Sequence, residues 1–137
     1  MFTLAACNNG GTGAETTATA EAPVARGPVA SKLGETGTTR LMDVVGKYYE
    51  LKNALVATNA PLADKAAAQL LIAADSLQSF LKQDSTNTNL LTYTDTIVTQ
   101  SKVITSMMDE TCEKKRIAFD IISTSVYALL KQVDIKN

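Results

Sequence analysis

The chain has 137 residues, 13 Lys and Arg against 14 Asp and Glu, a net charge of −1, no His, no Trp and two Cys. That length holds one domain, the balanced charge speaks against a nucleic-acid binder, and the missing His removes the commonest general base and metal ligand. A hydrophobic content of 45% with only 5% aromatics favours a helical domain packed by Ala, Leu, Ile and Val over a β-sandwich.

The chain opens Met1-Phe2-Thr3-Leu4-Ala5-Ala6-Cys7. Leu4 to Cys7 has the form of a bacterial lipobox, in which small residues admit the signal peptidase and the Cys thiol takes a diacylglycerol group. No basic n-region and no long apolar run precede the box, so residues 1–7 read as a truncated export signal with Cys7 as the lipidation site. Residues 8–40 hold six of the seven glycines and two of the three prolines, with no helical or strand period. Such a segment buries too little apolar surface to offset its ordering entropy. It reads as a disordered linker reaching roughly 30 Å on average. Asn8 carries no inner-membrane retention signal of the Asp type, so the expected location is the outer membrane, facing the periplasm. Several acyl chains on one Cys suffice for stable anchoring. No stretch approaches the ~18 apolar residues of a transmembrane helix.

Residues 41–137 carry helical periods. Leu41, Val44, Val45, Tyr48, Leu51 and Leu55 recur at steps of three and four from about residue 40 to 58. A second helix is expected over about 61–83, with Pro61 in its first turn and a stripe of Ala63, Ala66, Ala67, Leu70, Leu71, Ala74, Leu77 and Leu81. Residues 91–97 alternate and are rich in Thr, which alone reads as a strand. A face of Leu90, Tyr93 or Thr94, Ile97, Ser101, Ile104 and Met108 fits a third helix over 90–108, and consistency with the other segments favours it. The fourth segment, about 110–133, has Asp109 as its cap. It is apolar over a wide arc (Ile117, Phe119, Ile121, Ile122, Val126, Leu129, Leu130, Val133), which predicts the most buried helix. Short connections make neighbours antiparallel, giving an all-α, up-down-up-down four-helix bundle.

Three runs within it resemble a bacterial envelope family whose helical domain is of unknown function. Tyr48 to Asn59 is similar to the family's opening pattern, in which Tyr48, Leu51, Lys52 and Leu55 match. Ala66 to Leu71 is similar to its Ala-rich second helix. Arg116, Phe119, Ser123 and Tyr127 match its later signature, with Ile122 in place of Leu. The resemblance implies small lipoproteins, and domains fused to membrane-fusion proteins of copper or silver efflux pumps. The soft-metal Cys-Pro-Met tail of many members has no counterpart after Val133. Physically, Arg116, Phe119, Ser123 and Tyr127 share one helical face and read first as a packing signature.

Met107, Met108 and Cys112 form the one cluster of soft ligands, suited to Cu(I) or Ag(I). Against that stands the use of Met as core filler and of a lone Cys as a buried, inert group. Ser79 to Lys82 matches Ser-x-x-Lys by chance, without its partner motifs. Asp109, Glu110 and Glu113 read as helix N-terminal charges, and residues 113–116 as a solvated charged run. The expected function is a non-enzymatic, lipid-anchored binding module of the envelope, with the membrane and an envelope protein as partners. The alternative is a copper- or silver-handling accessory protein built on Met107, Met108 and Cys112.

Overall fold

The structure, a computed structural model, describes residues 31–133, the side chain of Ser85 excepted. Four helices follow in order: α1 Gly34–Val56, α2 Ala60–Leu81, α3 Thr88–Ser106 and α4 Glu113–Gln132, with one 3-10 turn at Ser85–Asn87. They form the expected up-down bundle. Each helix packs chiefly on its neighbours in sequence, and α1 and α4 meet along a thinner seam. No described helix is long and apolar enough to cross a membrane. Cys7 and residues 8–30 lie outside the described residues.

α1 begins earlier than the linker boundary at residue 40 allows. Gly34, at φ +78°, turns the chain into the helix. Gly37 and Thr38 are buried. A Cβ on Gly37 would lie 2.5 Å from the Leu33 Cβ and 2.6 Å from the Phe80 ring, so this glycine lets α2 close on α1. The Ser31 hydroxyl bonds the Thr38 hydroxyl at 2.6 Å. The Lys32 amide donates to the Val133 carbonyl at the far end of the chain (3.0 Å). Residues 31–40 therefore belong to the folded domain.

α2 starts as its residues dictate. The Asn59 side chain accepts from the Leu62 amide (3.1 Å), Pro61 sits in the first turn, and Ala63, Ala66, Ala67, Ala73 and Ala74 are buried. Small side chains let both neighbours approach, and α2 lies between α1 and α3. α3 is a helix throughout. Its threonines fit because Thr92, Thr94 and Thr96 return their hydroxyls to carbonyls one turn back. The fourth helix is not the most buried. Ile117 and Ile121, expected in the core, are 63% and 42% exposed. The arc facing the core is instead Lys115, Ala118, Ile122, Ser125, Val126 and Leu129.

Candidate functional site

At one end of the bundle α1 and α3 finish, and α2 and α4 begin. The last carbonyls of α1 and α3 need donors and carry the negative end of each helix dipole. Neither helix has a basic residue in its own last turn. α4 supplies both. Lys115 Nζ donates to the Ile104 carbonyl (3.0 Å) and the Met107 carbonyl (2.6 Å) at the end of α3. Its third partner is Asp64 Oδ1 on α2, at 2.8 Å. Arg116 Nη2 donates to the Leu55 carbonyl (2.7 Å) and the Thr58 hydroxyl (2.8 Å) at the end of α1, and Nη1 to the Thr111 carbonyl.

Lys115 is wholly buried. The reading of residues 113–116 as a solvated run is corrected for both cations. Charge patterning hid them, because a run of charges reads as surface. The helical period would have found Lys115: it precedes Ala118, Ile122 and Val126 at steps of three, seven and eleven, on the buried face.

Two non-glycine residues with positive φ stand at this end, Thr58 (51°) and Cys112 (65°). Thr58 closes a Schellman motif: its amide bonds the Leu55 carbonyl, and the Asn59 amide bonds the Ala54 carbonyl. A β-branched residue is strained there, and Arg116 clamps its hydroxyl. Asp109 is not the N-cap expected of it: α4 begins at Glu113, later than residue 110, with Cys112 at the cap position and without a side-chain cap bond, and Asp109 reaches the first turn from three residues before Cys112. Its carboxylate accepts from the Thr111 hydroxyl (2.8 Å) and the Lys114 amide (2.6 Å). The Thr111 bond holds the Asp109 carboxyl below its usual value; desolvation opposes it, and the backbone amides of Lys114, Lys115 and Thr111 each add a smaller lowering effect.

An open hollow of about 920 Å³ lies here, lined by Thr58, Asp64, Met107, Met108, Asp109 and Lys115 among others. The soft donors do not converge in it. α3 ends before them, the Met108 side chain is wholly exposed and Cys112 is wholly buried. The Met107 carbonyl is taken by the Lys115 ammonium. Among the described residues no three His, Cys, Asp or Glu are placed to hold a metal ion. These residues do not fit Cu(I) or Ag(I).

The signature residues meet along the α1–α4 seam. The Tyr48 and Phe119 rings stack, with centroids 5.0 Å apart and planes 10° from parallel. The Tyr48 and Ser123 hydroxyls bond at 2.9 Å. Leu51 and Leu55 are buried beneath them. The outward members differ: the Lys52 ammonium lies 5.9 Å from the Tyr49 ring centre, and that of Lys131 lies 5.5 Å from the Tyr127 ring centre. Tyr49 and Tyr127 are 53% and 65% exposed. Packing accounts for Tyr48, Leu51, Leu55, Arg116, Phe119 and Ser123. It does not account for Tyr127.

A family model described as protein of unknown function (DUF3347) matches residues 44–137. No curated protein and no solved structure matches the chain.

Proposed function

The chain belongs to the DUF3347 family of proteins of unknown function; we propose that it is a non-enzymatic binding module of the bacterial cell envelope. In this reading lipid on Cys7 anchors it at the outer membrane, and the segment before α1 stands it off the bilayer. One observation carries the binding role. Of the eight large apolar side chains exposed among the described residues, five (Tyr49, Val56, Ile117, Ile121, Tyr127) stand on α1 and α4. The polar groups between those helices are meanwhile used in holding the helices together. Apolar side chains left in solvent on these two helices are what a partner would cover in this reading.

The test places a photo-crosslinking side chain at Tyr49 or Tyr127 of the anchored protein, and at Thr92 or Thr99 on the polar face of α3 as controls. Adducts of discrete mass from the first pair alone support the reading. Equal or no adducts from all four overturn it. For the anchor, a complete export leader is fused upstream of Leu4 and the cells are fed a clickable fatty acid. Label that survives Cys7→Ser removes the lipid assignment. Copper or silver handling draws no support from Met107, Met108 and Cys112. Cu(I) titration against a chelator is expected to give one affinity for wild type, Cys112→Ala and Met108→Leu.

A further inference from the structure

The four seams of the bundle are unequal. α1 on α2, α2 on α3 and α3 on α4 are long contacts, and α4 meets α1 along the least of the four. The helix α2 is sealed to its neighbours by side chains with no access to water, among them Ala63, Ala67, Leu70, Ala74 and Leu77. The α1–α4 seam is closed by groups of another kind. Tyr48 and Phe119, which stack across it, and Ser123, which bonds the Tyr48 hydroxyl, are each only partly buried. At one end the Arg116 guanidinium holds the Leu55 carbonyl and the exposed Thr58 hydroxyl. At the other end stands one backbone bond, from Lys32 to Val133. Polar groups already near water lose little on parting, because water replaces their partners. The thin contact also gives up less apolar burial than any other seam would. We propose that this seam is a gate, which parts in the native protein while the other three seams stay packed, by a local opening that costs less than global unfolding.

The two adjacent cations of α4 divide the work. Lys115 bonds the Ile104 and Met107 carbonyls and Asp64, and nothing on α1. It therefore keeps α4 on α3 and α2 whether the seam is open or closed. Arg116, the next residue, is the one that reaches α1. Behind the seam Leu51, Leu55 and Val126 are buried. Val126 follows Phe119 by seven residues and Ser123 by three, so it stands on the seam side of the buried arc. Parting the seam brings these apolar side chains to solvent. The gate goes beyond the binding-module reading and does not rest on it, since no partner enters the argument or the test.

The experiment is thiol labelling of the native full chain carrying Cys7→Ser, each site read by peptide mass so that Cys112 is followed separately. Val126→Cys reports the gate. Val98→Cys is the same replacement on α3, which packs on α2 and α4, and it reports global opening. Val126→Cys is expected to label at least about tenfold faster than Val98→Cys, with a shallower urea dependence because less surface is exposed. Tyr48→Phe, which removes the hydroxyl bond across the seam, is expected to raise the Val126→Cys rate about fivefold, and Arg116→Met to raise it at least as much. Asp64→Ala breaks a pair that the open and closed forms share. It is expected to speed Val98→Cys and to leave Val126→Cys as it was. Equal rates with equal urea dependence at the two sites overturn the proposal. So does an Asp64→Ala that speeds both sites alike, or a Val126→Cys rate that neither Tyr48→Phe nor Arg116→Met changes.

Discussion

A lysine ammonium with no access to water persists only while every donor has a partner. Lys115 meets that condition with two carbonyls and one carboxylate. Removing Asp64 leaves the charge without its counter-ion. The Asp64 side chain is 42% exposed, so solvent screens part of the pair. Asp64→Ala is therefore expected to cost about 2 kcal/mol, below the range for fully buried pairs. Lys115→Met, which removes the buried charge itself, is expected to cost about 1 kcal/mol. In the Lys115→Met background Asp64→Ala should cost almost nothing, and urea unfolding of the four proteins measures the coupling. Gly37 makes the second residue-level case. Ala is the better helix former by about 1 kcal/mol, yet its Cβ would collide with Leu33 and Phe80. Overpacking wins, and Gly37→Ala is expected to lower stability by about 1–2 kcal/mol in the same assay. Nothing in a sequence marks a glycine that an aromatic ring from another helix will lie against. Lys115, by contrast, stood in a readable period and was hidden only by its charged neighbours.

At the scale of the element, the helices with apolar stripes were legible, and their ends were less so. Leu41 to Leu55, the alanines of α2 and Ile97 to Ile104 lie where their spacing puts them. α1 gains its first turns from glycine and threonine, residues whose own preference is not helical. Contacts with α2 and with the end of the chain decide the matter there. α3 shows the opposite case, since its threonines satisfy their hydroxyls locally and cost the helix little. The start of α4 depends on Asp109, and this gives a pH prediction. Its folded pKa lies below the usual 3.8. The carboxylate therefore stabilises the fold fully above that value, and the contribution is lost as pH falls through the lower folded pKa. Asp109→Asn should be less stable than wild type at neutral pH, and the difference should close in acid, below the ordinary value of 3.8. Unfolding curves from pH 7 down to about 2 check this.

At the scale of the whole molecule, the neighbour-to-neighbour order of the helices was legible from short connections. The unequal seams were not. A wide apolar arc on the last helix implied the deepest burial, yet α2 fills that place because alanines let two neighbours close in. Ile117 and Ile121 are left outside. Burial of Cys112 offers a global readout. With Cys7→Ser leaving a single thiol, Cys112 should resist a thiol reagent until the bundle opens. Asp64→Ala should raise the labelling rate about tenfold for each 1.4 kcal/mol of stability it loses, and rapid labelling of the native protein would contradict the burial.

The two adjacent cations of α4 also bear on how the chain is made. α1 and α3 leave the ribosome first, with their carboxyl ends unanswered. Lys115 and Arg116 come only afterwards, and one turn of backbone delivers both. A nascent chain cut short before them holds three helices and no clasp for two of them. The ends of α1 and α3 are therefore answered only after the start of α4 has been made, although α1, α2 and α3 already pack on one another.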